Sequence, residues 1–477
     1  MSDRGELLGE TAKLAADFLE RLPDRPVWPP VDLAALREAL GGPIPEQGEA
    51  AEAVIESLAA RAEPGLVASA GPRYFGFVIG GGVPAALAAD WLTSAWDQNA
   101  AMYATSPAAS VIEEVAAGWL VDLFGLPAGS SVGFVTGATM ANFTALAAAR
   151  HRVLERAGWN HEEDGLTGAP RIAIVAGDEA HVTIFVSLQM LGLGRGQVHR
   201  VAADGEGRMR ADALRETLAR LEGPTIVCAQ AGNVNSGAFD PLPDIAGAVH
   251  ERPNAWLHVD GAFGLWAAAS PGLRDRIPGL ELADSWTTDS HKWLNVPYDS
   301  GIVVVRDAAA HHAAMTLGAA YYVETAGGER DPYNWVPESS RRARGFAVYA
   351  ALRSLGRAGL AAMLDRCCGL ARRMADGLRG AEGVTILNDV VLNQVLVRFE
   401  PAGGGDATAD AFTRAVIAAV QADGTCWLGG TTWHGMAAMR ISVSNWSTTE
   451  ADADQSVAAI LRCLKATAGS QDAVTAG

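Results

Sequence analysis

Lysine is nearly absent from this chain. Of 37 basic residues in 477, only Lys13, Lys292 and Lys465 are lysines, and two of them lie near the ends. Arginine serves wherever else a cation is needed, so the internal lysine of "DSHKW" calls for a chemical reason. Cysteine is also scarce. Cys228, Cys367, Cys368, Cys426 and Cys463 are odd in number and irregularly spaced, with no C-x-x-C pair. That excludes a disulfide framework, a zinc ribbon and a dithiol redox couple, and it predicts reduced, buried thiols in a cytoplasmic protein. Positive charge is in deficit, at a formal net charge of −18. Nucleic acid and anionic membrane surfaces are therefore poor partners, although one small anion in a local pocket is compatible with that balance. Long hydrophobic runs are missing too. "MSDRGELLGE" has no signal-peptide core, and "YFGFVIGGGVPAALAA" is glycine-rich, short for a membrane span and closed by Asp90.

What is present describes a globular protein with several cores. Hydrophobic residues make up 49% and charged residues 19% of a chain too long for a single ordinary core. Residues 6–22 and 46–62 have helical spacing, joined through the extended, proline-rich "LPDRPVWPP". Neither helix can bury its apolar face alone. From about residue 107, helices alternate with short apolar segments: "RIAIVAG", "PTIVCAQAG", "AWLHVDGA" and "GIVVVRD". Continuous β-branched runs of this kind fit strands buried on both faces of a parallel sheet. After about residue 305, arginine-rich helices precede "VTILND", "NQVLVRFE" and "MRISVSN". The expected division is an N-terminal helical segment over 1–75, a large α/β domain over 76–310 and a smaller α+β domain over 311–477.

Parallel α/β sheets bind ligands beyond the carboxyl ends of their strands. Four features fall at such ends. In "GFVTGATMANFTAL", Gly137, Ala138 and Thr139 turn a strand into a helix, which makes either a plain capped turn or an anion cradle. In "WLHVDGAFG", Asp260 ends a strand, as a turn residue or as the partner of a cationic ring nitrogen. In "GDEAHVTIFV", His181 opens a helix, as a cap or as a ring stacked on a flat ligand. Lys292, once deprotonated, is a nucleophile for carbonyls; its bland alternative is a snorkelling surface cation. Together, a phosphate cradle, a carboxylate for a pyridinium nitrogen, a stacking ring and a reactive amine are what pyridoxal 5′-phosphate requires.

At this point the sequence resembles the group II pyridoxal-phosphate-dependent amino-acid decarboxylases, which act on aromatic amino acids, glutamate, cysteine sulfinate and diaminobutyrate. The resemblance runs from about residue 70 to 460, through "SPAASVIEEVAAGWL", "GFVTGATMANFTALAAAR", "AGNVNSGAFDPLPDI", "WLHVDGAFG", "ADSWTTDSHKW", "SSRRARGFAVYAALRSLG" and "MRISVSNWSTT". It implies the aspartate-aminotransferase fold, called fold type I, with a mostly parallel seven-stranded sheet and a smaller α+β domain. It also implies a homodimer with active sites at the interface, clasped by the N-terminal helices. Lys292 would hold the cofactor as an imine. Asp260 would pair with its ring nitrogen, Ala262 would pack on one ring face, and His181 would stack on the other. Ala138, Thr139 and His291 would contact the phosphate. Asn233 stands where relatives carry a threonine of a Gly-Thr-Thr motif. Phe75, Phe77 and Tyr103 lie in the segment that lines the relatives' substrate pocket, which favours an aromatic or apolar side chain. His434 would meet a polar group of the substrate, and Arg440 would orient the site or a substrate carboxylate.

The tyrosine that protonates the substrate carbon in relatives falls in "YYVETAGGERDPYNWVPESSRRARG". Aligned on Trp335 and Arg341, Tyr333 is one place from it and Pro332 occupies it, while Tyr321 and Tyr322 lie upstream. The expected reaction is α-decarboxylation of an L-amino acid to the amine and carbon dioxide. Alternatives on the same cofactor are an aldehyde synthase, an aldolase-type lyase and an aminotransferase. A dinucleotide oxidoreductase would need G-x-G-x-x-G, which the Gly137 turn lacks. An idle scaffold would have little reason to keep Lys292 and Asp260.

Overall fold

A computed structural model of the chain describes residues 4–316, 329–401, 403 and 405–475. The chain divides into two compact units. One comprises residues 80–369 and 388–394; the other comprises 1–79, 370–387 and 395–477. Residues 311–316 and 329–369 thus group with the sheet-bearing unit, whereas the division expected from the sequence set a boundary at 310.

The larger unit is built on seven strands: β1 (Ser131–Val135), β2 (Ala173–Gly177), β3 (Val198–Val201), β4 (Thr225–Gln230), β5 (Ala255–Asp260), β6 (Ser285–Asp289) and β7 (Gly301–Val305). Their order in the sheet is β1-β7-β6-β5-β4-β2-β3. Only β7 runs against its neighbours, so the expected mostly parallel seven-stranded sheet is what forms. Strands β2, β4, β5 and β7 are buried along their whole length, as their unbroken apolar runs require. Strand β6, "SWTTD", is equally buried although mostly polar, and its sequence did not announce a strand.

Register aligns the site. Gln230 pairs with Asp260, Asp260 with Thr287, Asp289 with Gly301, and Val135 with Gly301. The carboxyl ends of β1, β4, β5 and β6 therefore share one edge, next to the start of β7. The helix Ala138–Glu155 leaves that edge directly from β1 and packs its alanine-rich face on β5–β7. Ala141, Ala145, Ala148 and Ala149 are fully buried; small side chains let the helix approach the sheet closely. Trp266, Trp286 and Trp293 fill the interior below, each fully buried side chain contributing about 2–3 kcal/mol.

The smaller unit contains β8 (Val384–Ile386), β9 (Gln394–Phe399), β10 (Gly429–Trp433) and β11 (Met436–Ser442), in the order β10-β11-β9-β8. Residue Gln394, the first of β9, falls in the larger unit. The smaller unit also contains the N-terminal helices Arg4–Arg21, Leu33–Leu40 and Ala51–Ala62. The middle helix was not foreseen; Asp32 caps it by accepting from the N–H groups of Ala34 and Ala35. None of the three helices has a buried residue, and Leu8, Leu33, Ile44 and Leu58 are exposed. All five cysteines are buried, and none forms a disulfide among the described residues. Among the described residues, no helix is long and apolar enough to cross a membrane.

Candidate active site

Gly137 opens the helix that follows β1, and a Cβ at Gly301 would fall 2.5 Å from the Gly137 Cα. Side chains are excluded here because two backbones meet. At the first turn of this helix, the Ala138 N–H donates to Asp289 Oδ1 at 2.6 Å. The other oxygen of Asp289 pairs with Lys292 Nζ at 3.0 Å. Asp289 is almost fully buried, and a carboxylate can lie there because it faces a helix N-terminus and an ammonium together.

His291 stands 3.6 Å from Asp289, between its Nε2 and Oδ1. Burial lowers its pKa below the ordinary range; the Asp289 carboxylate opposes this, and Lys292 adds to it. The Ser300 N–H donates to Nδ1 at 3.1 Å, so the neutral ring carries its proton on Nε2. The Tyr298 ring stacks on it at 4.2 Å between centroids.

The Asp289 N–H donates to the Ala262 carbonyl at 2.8 Å, and the Ala262 N–H donates to Asp260 Oδ1 at 3.1 Å. Asp260 Oδ2 accepts from Asn142 Nδ2 at 3.2 Å. Both carboxylate oxygens are thus held by donors, and each keeps a lone pair for a further one. His181 caps the helix Val182–Met190, and its Nδ1 accepts from the Thr183 hydroxyl at 2.9 Å. The Thr139 carbonyl accepts from Ser187, one turn along that same helix. Asn233 is buried after β4; its Oδ1 accepts from the N–H groups of Asn235 and Ser236.

The fold thus joins Ala138, Thr139, His181, Asp260, Ala262, His291 and Lys292 through one hydrogen-bonded edge, with Asn233 on the neighbouring strand end. Tyr103 and Tyr333 lie in the same unit. The Tyr103 N–H donates to Asp331 Oδ1 at 2.8 Å, and the Tyr333 N–H donates to the Ala101 carbonyl at 2.9 Å. Tyr333 is buried in the one-turn helix Pro332–Trp335. Tyr321 and Tyr322 lie outside the described residues.

Phe75, Phe77, His434 and Arg440 belong to the smaller unit. Phe75 is buried, and its N–H donates to the Trp427 carbonyl. Phe77 is 59% exposed at a φ of 53°, a backbone a phenylalanine rarely adopts. His434 sits at the β10–β11 turn against Trp433, and Arg440 lies on β11 opposite Gly429.

Sequence reasoning missed Asp289, Asn142, Thr183 and Ser300. Asp289 was legible as a carboxylate three residues before the lysine, and Asn142 as a lone amide in an alanine-rich helix. Thr183 and Ser300 carried no signal.

These residues suit pyridoxal phosphate on structural grounds. The edge supplies a primary amine, a buried carboxylate with acceptor capacity, and a glycine-lined helix start. It also holds buried donors, Asn233 Nδ2 and Ser300 Oγ, that have no protein partner among the described residues. Fold and site together define an α/β protein with a lysine–carboxylate cluster at the carboxyl edge of its sheet. Residues 34–400 match the pyridoxal-dependent decarboxylase conserved domain. The chain is 32% identical to L-2,4-diaminobutyrate decarboxylase of Rhizobium meliloti (strain 1021), covering 76% of this chain and 71% of that protein. It is 27% identical to Tryptophan decarboxylase 1 of Oryza sativa subsp. japonica, covering 92% and 89% respectively. The crystal structure of Oryza sativa TDC with PLP and tryptamine superimposes with a TM-score of 0.90 at 24% identity, covering 97% of both chains. The chain belongs to the pyridoxal-dependent decarboxylase family. It has fold type I and is a pyridoxal-phosphate-dependent carboxy-lyase of amino-acid metabolism.

Proposed function

We propose that this enzyme decarboxylates an L-amino acid with an aromatic or apolar side chain, and that Lys292 carries the cofactor. The observation behind the assignment is the unbroken hydrogen-bonded path from Lys292 through Asp289 and Ala262 to Asp260, beginning at the helix start of Ala138. When bound, pyridoxal phosphate supplies an aldehyde for amine attachment and an electron sink for charge left at the substrate Cα. The chain's own residues do the rest. The helix start at Ala138, the Thr139 hydroxyl and His291 Nε2–H, with Asn233, would hold the phosphate. Asp260 would accept from the ring nitrogen and keep it protonated; Ala262 and His181 would flank the ring and limit water access. Tyr333 or His181 would return a proton to Cα. Assignment of Phe75, Phe77, Tyr103, His434 and Arg440 to substrate binding rests on the resemblance of their motifs.

We also place the enzyme in the cytoplasm as a homodimer. No residue of the three N-terminal helices is fully buried in its own chain, and a second copy would cover their exposed apolar side chains. Sedimentation should then give twice the chain mass, and Leu33→Arg combined with Ile44→Arg should weaken that association.

A second reading, an aldehyde synthase, is kept by one observation. Tyr333 is buried and packed by its own backbone hydrogen bond, with Pro332 in the aligned place. A screen of common amino acids for carbon dioxide, amine, aldehyde, peroxide and ammonia decides between them. Equimolar carbon dioxide and amine support the decarboxylase; aldehyde with peroxide and ammonia supports the synthase. Lys292→Ala should abolish both turnover and the visible absorption of lysine-bound cofactor. Retention of both by that variant would end the assignment.

A further inference from the structure

Asn142 occupies a position that neither its sequence nor its family likeness assigns. It lies one turn inside the helix Ala138–Glu155, fully buried, and every polar atom of its amide is engaged. Nδ2 donates to Asp260 Oδ2 at 3.2 Å and reaches Thr183 Oγ at 3.4 Å. Oδ1 accepts from the Thr287 hydroxyl at 2.8 Å and faces His258 Nε2 at 2.9 Å.

The protons in this network can be placed. Trp256 Nε1 can only donate, and it donates to Ser285 Oγ at 2.9 Å. The Ser285 hydroxyl proton then goes to His258 Nδ1, also at 2.9 Å. Burial pushes His258 down to about 4, so the ring is neutral and its single proton sits on Nε2, pointing at Asn142 Oδ1. Two donors converge on that oxygen, which fixes the amide orientation: the flipped amide would set its oxygen against the Asp260 carboxylate. On the other side, the Thr183 N–H donates to His181 Nδ1 at 3.4 Å, which leaves the His181 proton on Nε2, and the Thr183 hydroxyl accepts from Asn142 and donates to that same Nδ1.

We propose that Asn142 is a positioning residue for Asp260, holding it as an acceptor carboxylate and linking it through the Thr183 hydroxyl to His181. Every proton in the network then runs one way, from Trp256 and Thr287 through Asn142 toward Asp260 and His181. Flanking donors aim the Asp260 carboxylate so that its remaining lone pairs can accept from a ring nitrogen. One helical residue thereby couples two elements, the end of β5 and the helix Val182–Met190.

The inference rests on the reading that Asp260 meets the cofactor ring nitrogen, and the test separates the two. The full chain is stripped of cofactor, and dissociation constants are measured for pyridoxal phosphate and for its 1-deaza analogue, which has CH in place of the ring nitrogen. Asp260→Asn calibrates the measurement: it should weaken pyridoxal phosphate binding and spare the analogue. If it weakens neither or both equally, the reading of Asp260 fails and the inference falls with it. Given that selectivity, Asn142→Ala should weaken pyridoxal phosphate about tenfold and leave the analogue nearly unchanged, as expected for a lost hydrogen bond to a charged group. Equal weakening of both ligands, or none, overturns the role of Asn142 while the reading of Asp260 stands. Should Asn142→Ala not fold, Asn142→Asp keeps the acceptor for His258 and Thr287, turns an oxygen on Asp260, and should show the same selective loss.

Discussion

Gly80→Ala tests whether the backbone around Lys292 is as tightly set as the geometry requires. A Cβ at Gly80 would lie 1.7 Å from the Lys292 carbonyl oxygen and 2.9 Å from its carbon. Ordinary non-bonded separations are about 3.5 Å, so the two backbones would have to part by more than about 1 Å. Neither can retreat freely. The Lys292 carbonyl closes a tight turn by accepting from the Asn295 N–H, and Asn295 holds a φ of 56°. The Asn295 carbonyl in turn accepts from the Val83 N–H at 2.8 Å, which fixes the opposing loop. Overpacking here should cost about 1–3 kcal/mol of stability. Displacing the lysine by 1 Å should lower kcat by about 100-fold, because the amine leaves its reacting geometry. The control is Gly82→Ala, whose Cβ would meet the Pro297 Cγ at an ordinary 3.5 Å. Both variants are assayed for kcat, melting temperature and the absorption of lysine-bound cofactor. Gly80→Ala should lose kcat and absorption, while Gly82→Ala should retain both. An unchanged kcat in Gly80→Ala would refute the claim that this contact sets the position of Lys292.

Stability should fall on acidification. Burial depresses His258 to about 4 and His311 to about 3, so each stays neutral in the fold while its unfolded counterpart gains a proton below about pH 6.5. Stability from both is full above that pH and is lost as pH falls toward the folded values. Asp240, raised to about 6 by burial, opposes them over part of the range by protonating in the fold first. The expected net loss between pH 7.5 and 4.5 is about 3 kcal/mol, to be measured by urea denaturation, and a stability that rises over this range would contradict the assignment. Glu113→Ala should cost about 3–5 kcal/mol, since Glu113 and Arg341 form a buried ion pair at 2.8 Å. Adding Arg341→Met should recover only part of it, because the guanidinium also serves the carbonyls of Ala100 and Phe134; a single-variant cost below 1 kcal/mol would refute this. In the smaller unit, Trp427→Ala removes the ring stacked on Tyr74 at 4.9 Å and packed beside Trp28 and Phe77. It should cost about 3–5 kcal/mol and reduce the near-ultraviolet circular dichroism; an unchanged urea midpoint would argue against the stack as a stabilising element.

By itself, the sequence determined the class of the fold and the chemistry of the centre. Unbroken apolar runs at β2, β4, β5 and β7 demand burial on both faces, and that demand is met in a mostly parallel sheet of the kind whose carboxyl edge binds ligands. A lone internal lysine and a strand-end aspartate named two of the chemical groups, because their side-chain chemistry is intrinsic and independent of neighbours. Tertiary structure decided what depends on pairing across the chain. Strand β6 was illegible because Ser285, Thr287, Thr288 and Asp289 read as a turn; they are buried as a strand because His258, Trp256, Asn142, Ala262, Ala138 and Lys292 satisfy them from other elements. A polar strand can be interior only where such partners exist, and no local pattern records partners such as Asn142 and Ala138, more than 100 residues away. For the same reason, Asn142 and Asp289 emerge as centres of the site only once the fold sets the helix after β1 against the ends of β5 and β6.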